Sequence, residues 1–74
     1  MEQVIEMNKR QRYSVTLRPE PEGGFTVRVP AFPEIVTFGE DEQQALAMAK
    51  EAIELSLEHR VAEGLDIPGP EKPN

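Results

Sequence analysis

From Tyr13 onward apolar and polar side chains alternate. Tyr13, Val15 and Leu17 are separated by Ser14 and Thr16 and followed by Arg18, so an extended segment puts three apolar side chains on one face and leaves the other to water. Phe25, Val27 and Val29 repeat the pattern with Thr26 and Arg28 opposite, which predicts a second half-buried strand. Pro19 ends the first strand. Gly23-Gly24, just before the second, supply the positive φ angles that reverse a chain without a Cβ clash, so the two strands should form an antiparallel hairpin. Pro30 and Pro33 end the second strand, since neither donates a ladder hydrogen bond. Ile35 to Phe38 then resumes as a short apolar strand closed by Gly39, and it most simply continues the meander.

After Gly39 the period changes. Glu40-Asp41-Glu42 places acids where an emerging helix exposes free N–H groups, and Asp41 with Gln44 makes a capping box, so a helix should start at Asp41 or Glu42 and run to about Glu63. At 100° per residue, Ala45, Leu46, Ala49, Ile53, Ser56, Leu57 and Val61 share one arc, expected to pack on the sheet. Arg60 intrudes on that arc and is expected to extend its head toward water. Gly64 stands where a helix C′ residue belongs, and Leu65 to Ile67 follows as a short extended piece. Met48 and Leu55 lie nearly opposite the arc, with Ala62 continuing the line and Glu51 and Glu58 beside it. Two readings stay open: exposed apolar side chains of no consequence, or a contact stripe for a second copy or another protein.

Outside this pattern, Met1 to Arg12 holds Val4, Ile5 and Met7 without a clear period. Residues 1–12 are therefore expected to be an arm, flexible or ordering as a strand on a neighbour. Residues 13–67 are expected to form one domain, and 68–74, with prolines at 68, 70 and 73, a tail that does not compact. At 74 residues the chain holds one domain, with about 55 residues to build it, near the lower limit for unaided folding. It has no cysteine, so neither a disulfide nor a thiolate metal site can stabilise it, and oligomerisation, a dimer first, is the remaining means. No stretch approaches the roughly 18 apolar residues of a membrane span, and the N-terminus lacks the apolar run of a secretory signal, so a cytoplasmic protein is expected.

Charge divides the chain. The net charge is −6, with a balance of +1 from Met1 to Pro30 and −7 from Ala31 to Asn74. Only Lys9-Arg10-Gln11-Arg12 clusters basic groups, which argues against direct nucleic-acid binding. The acidic half suits a basic partner, or serves solubility alone.

Candidate chemistry is sparse. His59, the single histidine, falls far from the core arc, and the serines and threonines have no base to activate them. Glu40-Asp41-Glu42 could hold a divalent ion, but helix capping accounts for these acids. Gly23-Gly24 opens a strand, where a phosphate cradle opens a helix. Arg12 to Leu17 is similar to the strand of a ribbon-helix-helix repressor, yet Pro-Glu-Pro-Glu-Gly-Gly and another strand follow in place of the required helix. Neither a cofactor, a metal nor an enzymatic activity is expected.

Several short runs together carry a family resemblance: Tyr13-Ser14-Val15-Thr16-Leu17, Gly23-Gly24-Phe25-Thr26-Val27, Val29-Pro30-Ala31-Phe32-Pro33, Thr37-Phe38-Gly39-Glu40, Ala45-Leu46 and Ile67-Pro68-Gly69-Pro70. From Tyr13 to about Pro70 the chain resembles the HicB antitoxins of type II toxin–antitoxin pairs and their stand-alone relatives. Glu34 stands where the family usually has glycine, and Asp41 where threonine is familiar. The resemblance implies an α+β fold of order β-β-β-α-β, a three-stranded antiparallel meander on one helix with a short final strand beside the first, as in a partial RNase H fold. It does not imply nuclease activity, because Tyr13 to Leu17 lacks the carboxylate that a metal-dependent site would need there. Members of the family bind a small basic, RNA-cleaving toxin of the HicA type and occlude its active site. Many also carry a C-terminal DNA-binding segment. This chain ends at Asn74 without one, so toxin neutralisation without the usual autorepression is the expectation. Glu34, Glu40, Met48, Glu51 and Leu55 are the expected partner-binding residues. The alternative is a stand-alone small binding or structural domain with no toxin partner, for which a small ligand is one option.

Overall fold

Five elements follow in chain order in the computed structural model, which describes residues 2–8 and 11–68. They are β1 (Glu2–Asn8), β2 (Gln11–Pro19), β3 (Phe25–Arg28), β4 (Val36–Gly39) and α1 (Glu42–Glu63). The strands form one antiparallel sheet in the order β1-β2-β3-β4, and α1 packs across one face, so the architecture is α+β. Alternation decides the inner face: Tyr13, Val15 and Leu17 of β2 and Val27 of β3, with Val29 just beyond it, are all buried. Ala45, Ala49 and Ile53 meet them from α1, and the small alanines let the helix lie close.

Two sequence expectations change. The N-terminal arm is a strand: β1 pairs with β2 in the register Ile5↔Tyr13, with Ile5 buried and Val4 exposed. Its period was hidden because Gln3 faces inward beside Ile5 while the apolar Val4 faces out. Conversely, residues 65–68 form no strand, and β1 holds the place beside β2 expected for the last strand. The carbonyls of Asp66 and Pro68 are instead bonded by side chains, from Arg60 Nη1 at 3.3 Å and Tyr13 Oη at 2.8 Å. The tail expected over 68–74 lies, after Pro68, outside the described residues.

The Pro-rich corner is a pair of β-turns. Phe32 N–H donates to the Val29 carbonyl at 2.9 Å and Ile35 N–H to the Phe32 carbonyl at 2.8 Å, so Pro30 and Pro33 each take the second turn position, where their fixed φ fits. The double turn drives Phe32 into the core, edge-on to Tyr13 with ring centroids 5.1 Å apart. In β4, Thr37 and Gly39 face α1 while Val36 and Phe38 face away, 55% and 48% exposed. Gly39 sets this parity, since a Cβ there would collide with the backbone of Ala45.

Both helix ends are capped as expected, with one variation. The Asp41 carboxylate accepts from Gln44 N–H at 2.7 Å, but Gln44 Oε1 reaches back to the N–H of Glu40, one residue before the cap, at 2.6 Å. Gly64, at φ 69°, closes a Schellman motif in which Leu65 N–H bonds the Arg60 carbonyl and Gly64 N–H that of Val61. Val61 departs from the expected arc and is 66% exposed. A 22-residue helix is about 33 Å long.

Candidate interaction surface

Positions 48, 51 and 55 are three and four residues apart, so α1 brings Met48, Glu51 and Leu55 onto its outward face. Met48 is 40% and Leu55 59% exposed. Glu54, Glu58 and Ala62 are exposed on the same outer side. Among the described residues Glu51, Glu54 and Glu58 make no ion pair; the pairs present are Arg12–Glu6 at 3.4 Å and Arg60–Glu34 at 3.0 Å. The result is an apolar stripe bordered by uncompensated carboxylates.

The other two expected partner residues lie elsewhere. Glu40 stands in the turn before α1, beside a shallow recess lined by Glu22, Gly23, Gly24 and Phe38. Glu34 is already engaged within the molecule. Arg60, expected to reach for water, folds back over the Phe32 ring at 5.1 Å and sets Nη2 between both Glu34 oxygens, at 3.1 and 3.0 Å. Its Nε is buried without an acceptor, so the ring and not a full hydrogen-bond set holds this guanidinium. The Glu34 carboxyl is held below the usual 4.5 chiefly by its own backbone N–H; burial, the next effect in size, opposes this, and Arg60 and then Ser56 add to the lowering. Burial pushes the Tyr13 hydroxyl up, and Arg60 partly offsets this.

For chemistry the surface offers little. His59 is exposed, and no three His, Asp or Glu side chains converge on a metal position among the described residues. No described helix is long and apolar enough to cross a membrane.

A second surface escaped the sequence reading. On the sheet face away from α1, Val4, Val36 and Phe38 are exposed; Val36 pairs with Arg28, and neither Arg28 nor Arg18 makes an ion pair among the described residues. Beside Arg28 a pocket of about 280 Å³ is lined by Thr16, Val29, Pro30, Pro33 and Ile35. The signal was Gly39: a glycine required where the helix crosses a strand turns its odd-numbered neighbours inward, and Val36 and Phe38 must then face out.

Against this geometry, residues 12–74 match the family described as HicB-like antitoxin of bacterial toxin-antitoxin system. The chain is 41% identical over 64 residues to Antitoxin HicB 1 of Photorhabdus laumondii, covering 84% of this chain and 41% of that protein. It is 48% identical over 42 residues to Antitoxin HicB of Escherichia coli K12, covering 57% and 30%. Antitoxin HicB 2 of Photorhabdus laumondii is 34% identical over 64 residues, covering 86% and 45%. The chain thus spans less than half the length of these curated relatives. By the family match over residues 12–74 and these identities, the chain belongs to the HicB-like antitoxin family.

Proposed function

We propose that this protein is an antitoxin that binds and neutralises a small basic, RNA-cleaving toxin through the outer face of α1. The observation that carries this reading is the union of Met48, Glu51 and Leu55 on one exposed helix face whose carboxylates make no ion pair among the described residues. Uncompensated acids steer a basic protein into encounter, and the apolar pair supplies anchors that are desolvated on contact. Glu40, one turn before the helix, extends the acidic field. Glu34 contributes less, because Arg60 already neutralises it.

The test is capture from the native lysate with tagged protein, followed by mass spectrometry and by kinetics with the recovered partner. One small basic protein should come down in stoichiometric amount. Glu51→Lys should slow its association about tenfold at low salt, with little effect at high salt. Leu55→Asp should weaken affinity at least about tenfold through faster dissociation, roughly 1.4 kcal/mol. Unchanged kinetics in both variants would remove α1 from the interface, and recovery of the protein alone would remove toxin neutralisation.

A further inference from the structure

The two outermost strands of the sheet differ in how they treat their free edges. β1 carries Glu2 and Glu6, both exposed, and its register slips between Glu6 and Asn8, so charge and an irregularity guard it against further pairing. β4 has neither guard. Val36, Thr37, Phe38 and Gly39 include no charge and no proline, their register with β3 is unbroken, and among the described residues no strand pairs with the outer side. A row of backbone N–H and C=O groups left in this way is completed by another strand.

The helix widens that edge into a strip. α1 makes most of its sheet contact with β4 and β3 and runs back along β4: Ala45 sits against Gly39 at one end of the strand, while Ser56 and Arg60 bond Glu34 just before the other. Leu57 stands across a recess from Gln11, toward β2. At 100° per residue, Met48, Ala52 and Leu55 then fall on the opposite flank, beside the free edge of β4. Met48 and Leu55 are exposed and Ala52 is half-buried. This line holds no charge, because Glu51, Glu54 and Glu58 lie farther round the helix.

A strand edge backed by an apolar helix flank fits a partner that offers both in the same relative position, and the chain itself is such a partner. We infer that two copies join edge to edge through β4, turning the two four-stranded sheets into one of eight, with the two α1 helices antiparallel beneath it and Met48, Ala52 and Leu55 of each meeting those of the other. The axis passes beside Thr37, so that Val36 of each copy lies opposite Phe38 of the other. The contact is isologous and closes at a dimer. Charge does not select it. Glu40 and Glu51 at its rim approach carboxylates of the second copy, although Glu34, which comes opposite Glu40, is already neutralised by Arg60. The inference stands independently of a toxin; since both use Met48 and Leu55, toxin and second copy compete.

Sedimentation of the purified full chain from about 10 μM to 1 mM, at low and high salt, tests it. The weight-average mass should rise from the 8.3 kDa monomer to twice that and stop, and salt should favour the dimer by screening its rim. Val36→Lys guards the edge of β4 as charge guards β1, and Leu55→Asp spoils the helix flank, both at exposed positions where circular dichroism can confirm folding. Each substitution enters the contact twice, and each should raise the dissociation constant at least about tenfold. Val4→Lys, on β1, should leave it unchanged. Because the chain has no cysteine, Thr37→Cys reports the axis: residues opposed across antiparallel strands lie within disulfide reach, so mild oxidation should cross-link this variant and not Val4→Cys. A monomer at every concentration overturns the inference, as do growth beyond the dimer, a dimer that Val36→Lys or Leu55→Asp leaves intact, and failure of Thr37→Cys to cross-link.

Discussion

At its N-terminal end α1 is capped by atoms within a few residues of one another, with one exposed bond from Gln3 Nε2 to Glu42 Oε1 at 3.1 Å reaching farther, whereas near its C-terminal end part-buried and paired groups bridge 26 and 55 positions along the chain. The first end uses the Asp41 carboxylate, the Gln44 amide and the close seat of Ala45 on Gly39. The second begins with a local motif at Gly64 and is completed by Arg60, which ties Glu34, Phe32 and Asp66 together while Tyr13 holds the Pro68 carbonyl. The difference teaches where helix direction comes from: one end is set by chain chemistry, the other by the corner it lands on.

The strongest way to break the comparison is Gly39→Ala. Its methyl would enter the backbone of Ala45, so about 3 kcal/mol or more of stability should be lost in denaturant unfolding, making the N-terminal end depend on tertiary fit as well. Arg60→Ala should cost about 2 kcal/mol, mainly from lost packing on Phe32, because the half-exposed Glu34 limits what the ion pair contributes. Arg60→Lys should recover only part of it, since an ammonium does not lie flat on the ring.

Asp41→Ala should cost about 1 kcal/mol, and it sharpens the contrast. In a peptide spanning residues 38–64, its loss should lower helicity by circular dichroism, while Arg60→Ala should not, having lost Glu34 and Phe32 already. The smallest effect concerns acid. The folded Glu34 carboxyl titrates below its unfolded value, so its contribution is present above about pH 4.5 and disappears as the pH falls through the folded value. Wild type should therefore lose slightly more thermal stability than Glu34→Gln between pH 6 and pH 3.

The same division explains what could be read from the sequence. Tyr13, Val15, Leu17, Val27 and Val29 declare their face by alternation, and Asp41, Gln44 and Gly64 declare the helix ends by chemistry that needs no distant partner. The place of β1 could not be read, because Gln3 and Val4 invert the expected polarity of their faces. Nor could the fate of Arg60, whose partners Phe32 and Glu34 come near only after two turns have folded the corner. At the candidate surface the helix stripe was legible from spacing, and it brought Met48, Glu51 and Leu55 together. Glu34 was not, since a charge that looks free in sequence is already matched in space. The open sheet face stayed hidden because Ile35 to Phe38 is apolar on both sides, and only the contact at Gly39 decides which side is wet.

The meander has a further consequence, for the order of events in folding. Every strand pairs with a neighbour in the chain, so no strand must wait for a distant segment, and hairpins close on a scale of about microseconds. Local topologies of this kind fold in about milliseconds or less. Since β1 and β2 precede the rest, their hairpin is available while the ribosome is still adding α1. Arg60 meets Phe32 and Glu34 only once both the corner and α1 are in place, so that contact comes late.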